Sequence, residues 1–270
     1  MRFVLTTNLQ EFAERTQGLL AERIECNVQA TVLENLLASR FADARPVLVY
    51  GLGSDGDVRF AALRTPPWPL LVTELEPWDA ASFVAAWLDA DPEVPAVSAV
   101  PETAKSIAAA WSELTGGSSR CRLREAMHVL DRVDDPLRSA PGDLRAARRD
   151  ERELLIEWMR GFAEESGVIG GDHAPEIVDA QLAGGRLFLW DDRGAVSLLG
   201  MSPAVSGVVR IGLVYTPPEH RRRGYATSMV AAASRRALAD GAARCMLYTD
   251  LANPTSNKIY AEVGYRRVGD

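Results

Sequence analysis

The sequence predicts an α/β protein with mixed sheets, made of two halves that repeat one order of elements. Apolar residues make up 47% of the chain and charged residues 25%, which is enough apolar surface for a sizeable core. The 270 residues suffice for two ordinary domains. On either side of the segment DDPLRSAPGD, strands and helices are predicted in the same order, β-α-α-β-β-β-α-β-α-β.

In the first half, apolar runs bounded by Gly, Pro and Asp predict strands, and amphipathic stretches predict helices. The segment GSDGD between two apolar runs is typical of a hairpin turn. The predicted strands are 2–5, 46–52, 58–64, 70–75, 96–100 and 121–133, and the predicted helices are 9–23, 28–39, 80–90 and 102–114.

The second half repeats this order, with a hairpin around DDRG. We therefore predict a first domain at 1–135, a linker rich in Pro, Asp and Gly at 136–142, and a second domain at 143–270. The predicted strands of the second half are 144–148, 186–190, 195–201, 208–216, 244–250 and 265–269, and its helices are 150–165, 174–184, one that begins at Gly224, and 254–264.

The halves differ where the third strand of the hairpin region meets the next helix. In the first half EPWDA makes this connection, and in the second PPEHRRRG makes it. Pro217 and Pro218 end the strand, and Gly224 lets a ligand approach the backbone closely. The unpaired N–H groups at the following helix start favour an anion such as a diphosphate. The alternative is an ordinary solvated basic turn.

The residues Arg221-Arg222-Arg223-Gly224-Tyr225-Ala226 match the R/Q-x-x-G-x-G/A signature of the GNAT (GCN5-related) acetyltransferases. Residues 253–260, NPTSNKIY, resemble the N-P-x-S-x-x-x-Y helix of that family, and Gly264-Tyr265 resemble the pair before its closing strand. The resemblance covers about 144–270. The first half is similar to this family only in its order of elements and lacks the loop, so we expect a degenerate GNAT-like domain there.

This resemblance implies that acetyl-CoA is the acyl donor. The family separates the strand before the loop from the next strand, 244–250, which makes a V-shaped slot for the thioester. The strand backbone would pair with the pantetheine arm, and loop N–H groups would hold the pyrophosphate, with Thr227 and Ser228 as further donors. The implied binding residues are Val214, Tyr215, Thr216, Arg221, Arg222, Arg223, Gly224, Tyr225, Ala226, Thr227, Asn253 and Asn257.

The resemblance also implies that Tyr260 lies near the thioester sulfur as a general acid. Asn253 followed by Pro254 is a typical helix start, and Asn257 and Tyr260 share one helix face with Asn253, which is also a sufficient structural explanation. A free Tyr has a pKa of ~10 and a thiol ~8.5, so full proton transfer to the thiolate is uphill by about 2 kcal/mol. Either the site lowers the pKa of Tyr260, or Tyr260 hydrogen-bonds the leaving sulfur.

Acyl transfer to an amine also needs a proton acceptor, since a free alkylamine is mostly charged at pH 7. Glu219, Asp250, Glu165 or a water relay are the alternatives, each carboxylate also being explicable as a surface or capping group. A backbone N–H near Tyr215 or Thr216 could stabilise the oxyanion. Cys245, with no His partner visible in the sequence, is expected to be a packing residue.

The predicted function is acetyl-CoA-dependent N-acetylation of a primary amine, on a small molecule or a protein, by direct attack in a ternary complex. One alternative is a non-catalytic acyl-CoA sensor or scaffold. A second, transfer from aminoacyl-tRNA, is disfavoured because the net charge is −7. We expect no metal, nucleic acid or membrane partner, a cytoplasmic protein with reduced thiols, and a monomer or homodimer.

The end of the chain raises a question about the second sheet. It stops at GYRRVGD, which leaves no room for an additional closing strand, so we expect a strand within 122–133 to occupy that edge. The first half is also expected to shape the acceptor pocket. Four aromatic residues either line that pocket or belong to the core: Trp68, Trp78, Trp87 and Trp111.

Overall fold

The computed structural model describes residues 1–38, 45–135 and 139–270. These residues form two compact units, Met1–Arg122 and Leu123–Asp270. The predicted linker begins at 136–138, which lie outside the described residues, as does residue 39 at the predicted end of the second helix. Segment 123–135 belongs to the first half in the sequence repeat but to the second unit by packing.

The first unit is a five-stranded sheet with four helices in its described part, in the strand order β1-β2-β3-β4-β5. All neighbouring strands are antiparallel except β4 and β5. The elements are β1 Arg2–Thr6, α1 Leu9–Glu22, α2 Asn27–Leu37, β2 Val47–Leu52, β3 Val58–Arg64, β4 Leu70–Val72, α3 Ala80–Leu88, β5 Val97–Ser98 and α4 Pro101–Thr115.

The tryptophans of the first unit divide between its core and its surface. Trp87 is fully buried beside Phe83, and Trp111 packs against the same cluster. Trp78 is 75% exposed, so it belongs to no core. The core alternative therefore holds for Trp87 and Trp111, while Trp68 is half-buried.

The second unit is a seven-stranded sheet in the order β12-β6-β11-β10-β9-β8-β7. Helices cover both faces of this sheet. Side chains alternate between the two faces along each strand, so each strand contributes to both layers of the core. On β8, Phe188 and Trp190 pack with α7 and α8, whereas Leu187 and Leu189 pack with α5 and α6. The elements are β6 Glu125–Leu130, β7 Asp143–Ala146, α5 Arg152–Ser166, α6 Ala174–Ala183, β8 Leu187–Asp191, β9 Ala195–Met201, β10 Val208–Tyr215, α7 Tyr225–Ala239, β11 Arg244–Asp250, α8 Pro254–Val263 and β12 Arg266–Gly269.

Strand β6 completes this sheet from a distant part of the chain. It pairs antiparallel with β11 from Cys245 to Asp250, and antiparallel with β12 on its other side. The prediction that a strand within 122–133 joins the second sheet is thus confirmed, but its position is corrected. It lies between β11 and β12, where both of its edges are hydrogen-bonded, and β12 forms the sheet edge.

The helices of the described residues are too short and too polar to cross a bilayer. The longest of them have 15 residues. At about 1.5 Å per residue such a helix spans about 22 Å, less than the ~30 Å hydrocarbon layer.

The position of β6 in the sheet leads to a prediction for the folding of two truncated chains. A fragment 140–270 lacks β6, which leaves the facing edges of β11 and β12 without partners and open to aggregation. We expect this fragment to be insoluble or to lack a cooperative thermal transition, whereas 123–270 should unfold cooperatively by circular dichroism. Equal solubility and melting of both fragments would show that β6 is dispensable.

Candidate active site

The candidate site begins where β10 and β11 separate. The two strands pair in parallel only over residues 208–210 and 244–246, although they continue to Tyr215 and Asp250. The register of β10 against β9 shifts between Gly212 and Tyr215, where Leu213 has a left-handed φ of 50°. The unpaired strand ends bound a slot, which agrees with the slot that the family resemblance implies.

The connection from β10 to α7 forms a cradle of backbone amides. A 3-10 turn at Pro218–His220 is followed by Arg222 and Gly224 in left-handed conformations, with φ of 62° and 83°. A left-handed Gly224 directly before the right-handed residues of α7 favours convergence of neighbouring N–H groups, and the positive end of the α7 dipole adds to it. The Ser228 N–H bonds the Gly224 carbonyl, and the first turn of α7 has no acidic residue. The amides before Ser228 therefore suit an anion.

The signature residue Arg221 contacts both α5 and the end of β10. Its Nη2 donates to both oxygens of Glu165 on α5, at 2.6 and 2.7 Å, and its Nε donates to the Thr216 carbonyl at 2.8 Å. Its guanidinium lies 5.8 Å from the centre of the Tyr215 ring. The Arg221 side chain thus fastens the loop to α5 and to the end of β10.

The other two arginines of the loop are exposed. Arg223 donates to the Glu219 carbonyl at 3.3 Å. In the described part of the chain Arg222 makes no ion pair, so its charge is available at the surface of the cradle. Both side chains can add positive charge around an anion held by the amides.

The first turn of α7 is anchored beneath the cradle. Tyr225 is buried and its hydroxyl donates to Asp192 Oδ2 at 2.6 Å; this hydrogen bond, followed by burial, raises the pKa of Tyr225. The Ser228 hydroxyl accepts from the Ala140 N–H at 2.8 Å. Thr227 is also buried, and Ala226 is half-buried. The side chains of Tyr225 and Ser228 therefore hold the helix start in place, and the backbone presents the donors.

The three residues expected to pair with a pantetheine arm lie at the end of β10. Val214, Tyr215 and Thr216 are half-buried. The Ser197 hydroxyl donates to the Tyr215 carbonyl at 2.9 Å, and Arg221 occupies one acceptor position of the Thr216 carbonyl. A carbonyl oxygen has two acceptor positions, so each can still accept one further donor.

The start of α8 is organised by its two asparagines. Asn253 caps the helix by accepting from the Ser256 N–H at 3.1 Å. Asn257 donates through Nδ2 to the carbonyls of Asp250 and Asn253, at 3.2 and 2.9 Å. These bonds join the end of β11 to α8, so both residues already have the structural role that the sequence allowed.

Tyr260 lies between α8 and the sheet. It is 7% exposed and belongs to the same core cluster as Leu247 of β11 and Met229 of α7. Within the described residues its hydroxyl has no hydrogen-bond partner, and burial raises its pKa well above the ordinary value. A raised pKa makes Tyr260 a weaker acid but leaves it a competent hydrogen-bond donor.

The predicted proton acceptors are mostly engaged elsewhere. Glu165 is paired with Arg221, and Asp250 Oδ1 accepts from the Ala252 N–H at 2.8 Å as a turn cap. Glu219 is exposed. A carboxyl that the sequence analysis did not consider, Glu125 at the start of β6, lies directly opposite Asp250 on β11. Several charged residues lie within the predicted strand 121–133, so no local signal in the sequence distinguished Glu125.

A surface pocket of about 360 Å³ lies between α5 and the end of β10. Its walls combine the aromatic rings of Trp158 and Tyr215 with three carboxylates and one guanidinium. It therefore has an acidic surplus beside an apolar wall. The lining residues are Glu157, Trp158, Arg160, Gly161, Glu164, Tyr215, Pro217, Pro218 and Glu219.

Cys245 packs at the closed end of β11. It is fully buried, its Sγ lies 3.8 Å from the Ser234 carbonyl, and burial raises its pKa to about 11. A thiol in this state is a poor nucleophile. The packing role expected from the sequence fits these contacts.

The corresponding connection of the first unit, between β4 and α3, offers no such cradle. The Leu75 N–H donates to the Thr103 hydroxyl at 2.9 Å, and that hydroxyl donates to the Leu75 carbonyl at 3.3 Å. No residue of 73–79 has a positive φ, and the Asp79 carboxylate at the start of α3 is paired with the N-terminal ammonium at 2.7 Å.

Residues 148–265 match the model of the acetyltransferase (GNAT) family. The second half of the chain is a GNAT acetyltransferase domain. The family makes this protein an acyltransferase, as the resemblance of the loop and of α8 predicts. The match begins just after β7 and ends at Tyr265, so it includes the slot, the cradle and Tyr260.

Solved structures share the fold over almost the whole chain. A Drosophila protein superposes with a TM-score of 0.67 at 12% identity, covering 99% of this chain and 95% of its own. A GCN5-related N-acetyltransferase from Sphaerobacter thermophilus gives 0.60 at 15% identity, covering 99% and 93%. A GNAT acetyltransferase from Colwellia psychrerythraea gives 0.58 at 12%, covering 99% and 97%. The fold class of two GNAT-like halves is thus confirmed. No match was found among curated proteins.

The left-handed backbone at Gly224 predicts the effect of an added methyl group. A Cβ there would have only the Ala140 Cβ near it, at 3.8 Å, so Gly224→Ala costs strain and not overlap. We expect a loss of about 1–2 kcal/mol and a melting temperature several degrees lower. The control is Gly212→Ala, which adds the same methyl without positive φ or close contact. Equal melting of the two variants would contradict the strain at Gly224.

Proposed function

We propose that the second unit transfers an acetyl group from acetyl-CoA to a primary amine, by direct attack in a ternary complex. The observation that carries this proposal is the arrangement of the slot. At its open end the amides of the Arg222 to Gly224 loop suit a pyrophosphate. Near its closed end lies Tyr260, whose hydroxyl has no hydrogen-bond partner within the described residues. A donor with a diphosphate at one end and a thioester at the other matches both.

The chain's own groups have separate tasks in such a transfer. The cradle amides and the exposed charges of Arg222 and Arg223 bind the diphosphate. The free edge of β10 aligns the pantetheine arm, in the manner of an added strand. Arg221 and Tyr225 hold the cradle in position through Glu165 and Asp192. Binding energy from these remote contacts positions the thioester for attack.

The raised pKa of Tyr260 favours one of the two roles considered for it. A tyrosine that holds its proton more tightly than usual makes complete transfer to a thiolate still more uphill. We infer that Tyr260 stabilises the charge that develops on the leaving sulfur by donating a hydrogen bond. The thiolate then takes its proton from the attacking nitrogen or from solvent.

The acceptor is proposed to be a cationic amine with an apolar body. The pocket beside α5 provides the rings of Trp158 and Tyr215 next to an acidic surplus, and Tyr215 is also part of the slot. An ammonium is attracted by both carboxylates and ring faces. This favours an amine over an alcohol or a thiol as the acceptor class.

A non-catalytic acyl-CoA sensor is the second candidate. It would use the same cradle and would bind the donor without turnover. Turnover with an amine separates the two candidates, because a sensor binds the donor and never transfers the acetyl group.

Calorimetric titration of acetyl-CoA tests the donor site. Wild type is expected to bind in the micromolar range, and Gly224→Glu to bind at least about tenfold more weakly, because it places a carboxylate in the cradle. The matched control is Gly241→Glu at the other end of α7, which has a similar left-handed φ of 101° and open surroundings. It should bind like wild type. No binding by wild type would refute the donor assignment.

Steady-state kinetics of Tyr260→Phe test catalysis. We expect kcat to fall about 10- to 100-fold, equivalent to about 1.4–2.8 kcal/mol, with little change in the Kd of acetyl-CoA. The control is Tyr265→Phe, which removes the buried hydroxyl bonded to Ser234 at 2.8 Å in the same cluster. That variant should lose stability but keep kcat. An unchanged kcat for Tyr260→Phe would remove Tyr260 from the mechanism.

A further inference from the structure

The sheet has two chemically different faces beside the slot. On β11, Cys245 and Leu247 pack toward α7 and α8 in the cluster that contains Tyr260. Because side chains alternate, Tyr248 and Asp250 lie on the opposite face. Glu125 is the direct cross-strand partner of Asp250, so it shares that opposite face. The two carboxyls and the Tyr260 hydroxyl thus lie on opposite sides of the sheet that the slot interrupts.

Glu125 is energetically unusual for a strand residue. It is half-buried, and in the described part of the chain its carboxyl has neither a hydrogen bond nor an ion pair. Burial, followed by the charge of Asp250, raises its pKa. A desolvated carboxyl beside a second carboxylate destabilises the folded state when it is ionised. Acceptance of a proton at neutral pH during catalysis would explain why a carboxyl with this cost is found at this position.

The competing carboxylates are less suited to this task. Glu165 has both oxygens on Arg221, and Asp250 is held by the Ala252 N–H. Glu219 is exposed beside the loop. Glu125 lies one strand away from the slot, across β11, at a strand separation of about 4.8 Å. Its carboxyl lies on the same face of the sheet as the end of β11 that borders the slot, so a proton can pass between an amine there and Glu125 through water.

We propose that Glu125, carried by the strand that precedes the linker, accepts the proton of the acceptor ammonium on the face of the sheet opposite Tyr260. This inference rests on the proposed acetyl transfer. Glu125 takes one proton from R–NH3⁺, directly or through water. The neutral nitrogen then forms the C–N bond as the C–S bond breaks, and its second proton passes to the thiolate. The Glu125 carboxylic acid finally releases its proton to solvent.

The neighbouring charges define how this group should titrate. Asp250 faces it from β11, and Tyr248 and the half-buried Arg210 lie on the same face. On β12, Arg267 and Asp270 pair with each other beside His128. His128 points to the other face, and burial lowers its pKa. Substitution of His128 therefore tests whether a second titrating group contributes to the pH dependence.

The test combines kinetics, stability and direct titration of the full-length protein. Phenethylamine and butylamine serve as acceptor probes with acetyl-CoA. We expect Glu125→Gln to lower kcat about 100-fold or more without changing the Kd of acetyl-CoA, and to remove the acid limb of the pH–rate profile. Glu125→Asp should restore part of the rate. Asp250→Asn should move the limb to lower pH, because it removes the like charge, and His128→Gln should leave it in place.

Melting and carboxyl titration give readouts that do not depend on turnover. Above both its folded and unfolded pKa, an ionised Glu125 with a raised pKa opposes folding, so Glu125→Gln should melt higher than wild type at pH 8. A merely structural residue would melt lower. Carbon-13 NMR should show the Glu125 carboxyl titrating above an ordinary glutamate, and lower in Asp250→Asn.

The outcomes separate this inference from the proposed function. Wild type that fails to bind acetyl-CoA refutes the proposed function. Wild type that binds and turns over, with Glu125→Gln keeping at least half of kcat or retaining the acid limb, overturns the role of Glu125 alone. A Glu125 carboxyl that titrates normally overturns it even if neither amine is a substrate.

Discussion

The main-chain pairing of β6 with β11 and β12 is the constraint on which the second unit depends. Six consecutive register pairs join β6 to β11, so the strand that carries half of the slot is held along its full length on the side away from β10. This one-sided support allows β11 to leave β10 after only three pairs without losing its place in the sheet. The same register sets Glu125 opposite Asp250 and fixes β12, which begins just after Tyr265, against the sheet.

The groups beside the slot share a deficit of partners. The facing edges of β10 and β11 lack ladder bonds, the amides before α7 lack helical acceptors, and Tyr260 and Glu125 lack partners in the described part of the chain. A missing partner costs folding free energy to the extent that the group is shielded from water. Other polar side chains of the unit are hydrogen-bonded, as with Ser197, Asn257 and Arg221, although the buried Thr249 hydroxyl on β11 has no partner in the described residues. A ligand that fills the slot would satisfy several of these groups together, which supports one elongated ligand over separate small ones.

Local patterns were sufficient to predict the elements but not all of their partners. Apolar periodicity and the Gly, Pro and Asp breakers predicted the strands and helices of both halves to within a few residues, because those signals act over short spans. The position of β6 depends on hydrogen bonds between segments more than a hundred residues apart, which no local pattern encodes. For the same reason, a family signature was enough to predict the cradle and Tyr260, which lie in short motifs. The Arg221–Glu165 ion pair and the cross-strand pairing of Glu125 with Asp250 join distant segments, so they could not be predicted.

The two halves therefore differ at this connection without differing in their order of elements. In the first unit the Leu75 amide is satisfied by Thr103, and Asp79 at the start of α3 is paired with the N-terminal ammonium, where the second unit has an open helix start. In the first unit this connection is thus stabilised by its own hydrogen bonds, whereas in the second unit the backbone N–H groups before α7 have no helical acceptor. A duplicated strand, β6, then serves the sheet of the second unit, and its first residue, Glu125, places a carboxyl opposite Asp250. Two carboxyls opposite each other do not favour strand pairing. A role in proton transfer would explain why position 125 carries a carboxyl beside Asp250.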